Sequence, residues 1–116
     1  MTLIDFTAKL NNTPDQIEFS ETIATIDANY DFTPTAFKNG ETNNNANENN
    51  GSCKVFAFAL DQNFTQEEAL ASFGQFYFKD ILENPEGIDH QNIRNFIKFG
   101  FDGLAFQGIA LTPKKQ

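Results

Sequence analysis

The first thirty residues carry apolar side chains at the three- and four-residue spacing of amphipathic helices. Thr2, with Asp5 three positions later, predicts the cap of a first helix that ends at Asn11-Asn12. A second cap is predicted at Thr13, followed by proline and by Gln16 as the capping-box partner. The β-branched residues at 22–26 would also suit a strand, but the longer periodicity favours a second helix, with these apolar positions: Phe19, Ile23, Ile26 and Tyr30.

The pattern then changes from helical to extended and polar. Pro34 restricts Thr33 to extended geometry, so residues 31–38 are predicted to be extended or turn-like. Asn39-Gly40 is a strong turn dipeptide. The tract that follows is nearly devoid of apolar side chains and cannot offset the entropy of ordering it, so we expect a mobile surface loop from about Asn43 to Gly51.

A short apolar run follows this tract. Ser52 is predicted to cap a buried helix over residues 53–60, although a strand of the same length is the competing interpretation. Phe64 and the Thr65-to-Glu68 capping box predict another helix start. Its apolar stripe reaches Asn84-Pro85, with Gly74 as a kink or break.

The last third of the chain predicts a turn, a helix and short strands. Residues 85–87 form the turn, and Asp89 is the predicted cap of the helix. The tail alternates glycine with short apolar pairs, which is typical of one or two strands that could pair near Phe32. The chain is therefore predicted to be one α+β domain over residues 1–116, mainly helical, with about five helices and a few short strands. In the helix predicted after Asp89, four residues share one face: Ile93, Phe96, Ile97 and Gly100.

Composition narrows the functional classes. The 116 residues include fourteen phenylalanines and no tryptophan, so an aromatic core is expected. The net charge of −8 repels phosphate backbones and anionic headgroups, which excludes nucleic acid and membrane surfaces as expected partners. The N-terminus lacks the pattern of a secretory signal peptide, and no apolar run reaches membrane-spanning length.

Three separated motifs resemble the HopJ type III effector family, also called HopPmaJ-like. They are Asn29-Tyr30-Asp31-Phe32-Thr33-Pro34-Thr35-Ala36-Phe37 with Asn39-Gly40, then Gly51-Ser52-Cys53-Lys54, then Pro85-Glu86-Gly87 followed by Asp89-His90-Gln91-Asn92-Ile93-Arg94-Asn95-Phe96. The resemblance covers essentially the whole chain. It implies a small α+β domain and no established catalytic residues. The expected location is the bacterial cytoplasm, with type III secretion implied by the family name alone.

Cys53 and His90 are the candidate catalytic pair. A thiol in the first turn of a helix faces free N–H groups that favour the thiolate, and His90, also in a predicted first turn, would be its general base, oriented by Asp89 or Asn92. The structural alternative is that Cys53 lies on the apolar stripe of its helix and is buried, as unpaired cysteines often are. His90 would then cap or tie its helix to the segment around residue 30.

A polar cluster is the candidate ligand-binding set. It contains Tyr30, Asp31, Thr33, Asn39 and Arg94, and Asp31 could pair with Arg94. A clamp between two elements is the structural interpretation, whereas in a cleft these groups would bind a small polar or anionic ligand. One cysteine and one histidine are too few for a zinc site, so neither a metal nor a cofactor is expected.

Two functional hypotheses follow. The first is a binding module that recognises a protein or a small polar ligand, with use as a type III effector implied by the resemblance. The alternative is a small cytosolic hydrolase or transferase with Cys53 as nucleophile. The sequence favours the first because no complete catalytic set is visible.

Overall fold

The computed structural model describes residues 2–114, along which helices and short strands alternate. The helices are α1 (Leu3–Asn12), α2 (Phe19–Asn29), α3 (Asn50–Asp61), α4 (Gln66–Ala71), a π-helix (Phe76–Ile81) and α5 (Gln91–Phe99), with 3-10 turns at Pro14–Gln16 and Phe101–Gly103. The strands are β1 (Tyr30–Phe32), β2 (Phe37–Asn39), β3 (Thr42–Asn44), β4 (Leu104–Phe106) and β5 (Leu111–Pro113). The predicted α+β class is confirmed.

The strands form two small antiparallel sheets. One pairs β1 with β5, so that Phe32 lies opposite Leu111, and the predicted pairing of the tail near Phe32 is confirmed. The other has the order β3-β2-β4. Its hairpin turns at Gly40, where φ is +60° and a Cβ atom would clash with the ring of Phe99. Glycine is therefore required at this turn both for its conformation and for space.

Helix α1 begins and ends as its sequence predicts. The Thr2 hydroxyl accepts a hydrogen bond from the Asp5 N–H at 3.1 Å. Phe6 and Leu10 lie on the buried side. Local capping chemistry is sufficient to place this helix, because its start requires no contact with a distant part of the chain.

The predicted start of α2 is wrong. Residues 14–16 form only a 3-10 turn, and the helix begins at Phe19. The Glu18 N–H donates to the Glu21 carboxylate at 3.0 Å, which replaces the predicted Thr13 cap. A distant side chain fixes this start, because Gln75 accepts a hydrogen bond from the Phe19 N–H at 2.9 Å. The strand alternative for residues 22–26 is also wrong.

Helix α3 is buried as predicted, but its start is earlier than predicted. It begins at Asn50 after Asn49, which has a left-handed φ of +53°, so Ser52 lies within the first turn and is not the cap. The loop is also shorter than the predicted 43–51. Residues 42–44 pair with β2 as strand β3, and the side chain of Asn44 is buried and hydrogen-bonded. Only residues 45–49 therefore remain outside regular structure. Mobility of that loop stays a prediction.

The predicted helix start at Thr65 is confirmed. The Glu68 N–H donates to the Thr65 hydroxyl, and the Thr65 N–H donates to the Glu68 carboxylate at 2.8 Å. The helix breaks at Gly74, where φ is +61° and a Cβ would lie 2.5 Å from the backbone nitrogen of Phe19. A π-helix continues from Phe76.

Helix α5 does not use Asp89 as its cap. His90, at a left-handed φ of +50°, precedes the first helical residue. Ile93 and Phe96 of the predicted shared face are buried, whereas Ile97 is 41% exposed, so the inclusion of Ile97 in that face is wrong.

Phe56 of α3 lies at the centre of the aromatic core. Its ring lies 4.9 Å from that of Phe96, 5.2 Å from that of Phe73 and 6.2 Å from that of Phe37, between ring centroids. These partners come from α5, from the segment after α4 and from β2. Edge-to-face and tilted ring contacts therefore join helices to the sheet, as the phenylalanine-rich composition predicts.

Candidate functional site

The first turns of α3 and α5 meet across a cleft of about 400 Å³. We call it the two-helix cleft. The turns contribute Gly51 and Ser52 from α3, and Gln91, Asn92 and Ile93 from α5. The other lining residues come from the loop, the hairpin, α2, the aromatic segment around the π-helix and the residue before α5: Asn49, Thr42, Phe19, Phe73, Phe76 and His90.

Both helices present free backbone donors at this cleft. The first N–H groups of a helix have no partner within the helix. Those of Gly51, Ser52, Gln91 and Asn92 have no acceptor within the part of the chain that the structure describes. The positive ends of two helix dipoles therefore lie beside one opening, which favours hydrogen-bond acceptors and negative charge there.

His90 forms part of the cleft wall and is held by an acidic neighbour. Its Nε2 lies 2.9 Å from Asp80 Oδ2 and 3.9 Å from Asp89 Oδ2. Its ring stacks on Phe76, with the centroids 5.0 Å apart. Asp80 and Phe76 fix the orientation of the imidazole. The helical stripe predicted for residues 70–81 carries no signal for either contact, because the break at Gly74 and the π-helix change which residues face α5.

Cys53 lies outside this wall. Its side chain is buried, with 1% exposure, and its Sγ donates to the Thr35 carbonyl at 3.6 Å. Burial raises the pKa of the Cys53 thiol. Its backbone N–H already donates to Asn49, so the predicted free donors belong to earlier residues of α3. No hydrogen bond joins Cys53 to His90 within residues 2–114. The surroundings of Cys53 agree with the structural alternative, in which it lies buried on the apolar stripe of its helix.

Asn92 is buried, belongs to a group of hydrogen-bonded asparagine side chains and forms no hydrogen bond with His90. Its Oδ1 accepts from Asn39 at 3.0 Å and from Asn44 at 3.2 Å, and its Nδ2 donates to Asn44 at 3.0 Å. Asn49 also donates to Asn44, at 2.7 Å. We call these four residues the asparagine cluster. It joins the β2–β3 hairpin and the loop to α5, beside the two-helix cleft.

The predicted ligand-binding residues near position 30 are separated from the cleft. The Tyr30 hydroxyl donates to Asp61 and accepts from Gln62 at 2.7 Å, and burial and the Asp61 carboxylate raise the pKa of Tyr30 to about 12. Asp31 is exposed on β1, and the Thr33 N–H donates to Ala110. None of these side chains lines the cleft.

Arg94 stabilises the turn before α5 instead of pairing with Asp31. Its guanidinium donates to Asp89 Oδ1 at 2.6 Å and to the carbonyls of Pro85 and Asn84 at 3.1 and 3.0 Å. The Asp31–Arg94 pair is therefore a wrong prediction. The same guanidinium lowers the pKa of Asp89. The sequence carried a signal for this contact, since Asp89 and Arg94 are only five positions apart.

Residues 2–114 contain no group of three or more histidine, cysteine or acidic side chains placed to hold a metal ion. None of the helices within them has both the length and the apolar character needed to cross a bilayer.

Two comparisons with known proteins agree with this architecture. The family model described as HopJ type III effector protein matches residues 3–111. The crystal structure of VPA0580, described as a protein of unknown function, is similar with a TM-score of 0.96 and 54% identity, covering 98% of this chain and 95% of that chain. A comparison with curated proteins finds no match. These similarities describe the family and the fold but name no ligand.

Proposed function

Because this chain belongs to the HopJ type III effector family, whose model spans residues 3–111, we propose that it is a binding module whose two-helix cleft receives a small polar ligand. The observation that carries the proposal is the cleft of about 400 Å³ at the first turns of α3 and α5. This volume lies within the roughly 300–1,000 Å³ of small-molecule sites.

The cleft combines donors with an aromatic wall. Gly51 and Ser52 supply free N–H groups on one side, and Gln91 supplies another on the opposite side. Phe19 and Phe76 form an apolar wall, with ring centroids 4.8 Å apart. A ligand that suits both features has a carboxylate or phosphate group directed at the helix ends and a small apolar portion against the rings.

Charge acts on such a ligand in two opposing ways. The net charge of −8 repels an anion at long range, but salt screens this field beyond about 8–10 Å. Within contact distance each helix N-terminus contributes about 0.3–1 kcal/mol toward an acceptor group, and up to about 2 kcal/mol when partly buried. At physiological salt the attraction by the helix N-termini therefore outweighs the long-range repulsion, and weak to moderate affinity is expected.

A chemical-shift titration tests the proposal. Uniformly labelled protein is titrated with small aromatic carboxylates and phosphate esters, and with matched amines and amides. We expect saturable shifts of the Gly51, Ser52 and Gln91 amides with the acid members only. Ser52→Leu, which fills the cleft, should abolish these shifts. Ser20→Leu, the same change at an exposed position outside the cleft, should retain them.

Two results would contradict the cleft as the site. One is the absence of saturable shifts for every member of the panel at millimolar concentration. The other is equal shifts in Ser52→Leu and the parent protein. Either outcome would remove the small-ligand proposal even if the chain binds a partner elsewhere.

The alternative function is a hydrolase or transferase with Cys53 as nucleophile. A catalytic thiol needs access to substrate and a lowered pKa. Burial of Cys53, its raised pKa and its position outside the cleft wall all weigh against this alternative. The binding module is therefore the better supported function.

Use as a type III effector is the second part of the proposal and is supported by the family name. It is tested by fusing a secretion reporter after residue 30 and comparing export in cells with and without a functional type III apparatus. Export that depends on the apparatus is expected. Retention of the fusion in both strains would remove the export part and leave the binding proposal intact.

A further inference from the structure

A second groove lies between α1, α4 and the π-helix, apart from the two-helix cleft. It has a volume of about 460 Å³, and we call it the acidic groove. Its floor and sides are formed by Leu10, Asn11, Pro14, Thr65, Glu67, Glu68, Ala71, Tyr77 and Phe78. Within the described residues, the two grooves have no lining residue in common.

Carboxylates and aromatic rings are combined in this groove, and no lysine or arginine among residues 2–114 lines it. Glu67 is exposed and forms no ion pair within residues 2–114. Glu68 has one carboxylate oxygen bonded to the Thr65 N–H at 2.8 Å and no cationic partner in that range. The chain as a whole has a net charge of −8. These carboxylates are therefore available to an external cation.

The aromatic wall suits the stem of a basic side chain. Tyr77 and Phe78 are half-buried, with ring centroids 5.1 Å apart. Rings of this kind attract lysine and arginine through cation–π contacts, and the aliphatic stems of these side chains pack on apolar surfaces while the charged heads stay near water. Pro14 and Leu10 extend the apolar surface toward α1.

The backbone beneath the rings is unusual. Tyr77 and Phe78 belong to the six-residue π-helix, an element that is rare and is often found at functional sites. The neighbouring cavity shares Phe78 and is lined by Asp15, Glu18 and one lysine, Lys79. The surface beyond the groove is thus also acidic overall.

We propose that the acidic groove docks a basic peptide segment of a partner protein, with an arginine or lysine stem on Tyr77 and Phe78 and its charged head at Glu67. Charge complementarity supports this occupant over an apolar helix, which would bury the carboxylates, and over nucleic acid, which the net charge repels. The inference is independent of the ligand proposed for the two-helix cleft.

The test uses a capped, fluorescent peptide of alternating arginine and glycine, with a glutamate–glycine peptide as the negative probe. We expect saturable binding of the basic peptide alone, with amide shifts at Glu67, Tyr77 and Phe78. Glu67→Lys should weaken binding about fivefold or more, in line with removal and reversal of a contacting charge.

Glu41→Lys is the matched control, because it makes the same change in net charge on the exposed β2–β3 turn, outside the groove. It should change the affinity less than about twofold, since a distant surface charge is screened by salt. Tyr77→Ala, with its fold checked by circular dichroism, should also weaken binding.

Three results would overturn the inference. They are no saturable binding of the basic peptide, equal weakening by Glu67→Lys and Glu41→Lys, and shifts confined to the two-helix cleft. Equal weakening would mean that only the overall charge of the chain is sensed. Failure here leaves the acid-ligand titration of the cleft unaffected, so the two proposals are distinguished.

Discussion

Cys53 illustrates how the surroundings of one residue decide its chemistry. It stands near a helix start and has Lys54 beside it, features that favour a thiolate. In the structure its thiol is enclosed by the core and bonded to the Thr35 carbonyl. Desolvation therefore dominates, and the pKa rises. The sequence contains both possibilities, and only the packing decides between them.

The expected result for Cys53 is slow chemical modification. At pH 8 the native thiol should react with a disulfide reagent at least about tenfold more slowly than the urea-unfolded thiol, because burial both blocks access and disfavours the thiolate. The control is the double variant Ser52→Cys/Cys53→Ala, which moves the thiol to a cleft-lining position and should react rapidly. Rapid reaction of native Cys53 near neutral pH, lost in His90→Ala, would instead support the enzyme hypothesis.

Tyr30 predicts a pH dependence of stability. Its pKa of about 12 in the folded protein exceeds the ordinary tyrosine pKa of 10.0, so the folded state holds the proton more tightly than the unfolded state. This stability is fully present below pH 10 and is lost as pH rises from about 10 to 12. The rise in the pKa of Tyr30 from 10.0 to about 12 corresponds to roughly 2–3 kcal/mol of unfolding free energy.

Urea denaturation of the parent protein and of Tyr30→Phe, measured from pH 8 to pH 12, checks this expectation. At pH 8 the variant should be about 1 kcal/mol less stable, because it lacks the hydrogen bonds to Asp61 and Gln62. The difference should shrink or reverse toward pH 12, since phenylalanine cannot ionise. Lysines titrate in both proteins and cancel. A constant difference across this range would contradict the assigned shift.

Sequence reasoning at this scale succeeded where the contact is local. The Thr2 and Thr65 caps were predicted because each involves a partner three positions away. Asn44 and Asn92 could not be placed in this way. They are 48 positions apart, and nothing in an asparagine-rich tract indicates which amides will be buried.

At the scale of elements, Gly74 decides where the helices around it begin and end. Its left-handed backbone separates α4 from the π-helix. Its missing Cβ lets the backbone at Ile17 and Phe19 approach closely, next to the start of α2. The sequence predicts a break at Gly74, but not the effect of that break on α2, which begins 55 positions earlier, at Phe19. The misplaced α2 start therefore has a long-range cause.

Gly74→Ala should destabilise the protein strongly. Left-handed geometry costs a residue with a Cβ about 1–2 kcal/mol, and the new atom would lie 2.5 Å from Phe19 N and 2.8 Å from Ile17 O. We expect a total loss of roughly 2–4 kcal/mol, which lowers Tm by about ten degrees or more for a domain of this size.

Thermal unfolding followed by circular dichroism measures this change. Gly108→Ala is the matched control, because its Cβ would meet only Thr35 Cγ2, at an ordinary distance of 3.7 Å. The control should shift the unfolding free energy by no more than about 0.5 kcal/mol. Similar Tm values for the two variants would show that the close backbone approach at Gly74 is not required.

At the scale of the whole molecule, two kinds of contact join the helices to the β3-β2-β4 sheet: aromatic packing and hydrogen bonds between asparagine side chains. The aromatic core around Phe56 was predictable in kind from fourteen phenylalanines, since such side chains have to be buried. The asparagine cluster was not predictable, because polar residues in a tract of low apolar content indicate disorder. The cluster nevertheless connects the β2–β3 hairpin to α5 and supports one wall of the two-helix cleft.

Asn92→Ala should therefore weaken the whole domain and the cleft together. Asn92 is 7% exposed, and truncation would remove both side-chain hydrogen bonds between Asn44 and residue 92. Asn39 would lose one bond and keep its 2.7 Å bond to the backbone carbonyl of residue 92. Each unsatisfied buried group costs about 1–3 kcal/mol, so we expect a loss of roughly 2–4 kcal/mol in urea denaturation. Amides of β2 and β3 should also exchange with solvent faster, since local opening becomes easier.

Asn43→Ala supplies the comparison that makes this prediction specific to the cluster. Asn43 is the exposed middle residue of β3, and its side chain forms no hydrogen bond among residues 2–114. Its neighbours Thr42 and Asn44 both contact α5. Its truncation should cost no more than about 0.5 kcal/mol. If Asn92→Ala were as mild, the cluster would not stabilise the fold. The support of the cleft wall would then come from other contacts of α5, such as the ring pair of Phe96 with Phe56 of α3 and the hydrogen bond from Asn95 to Thr42.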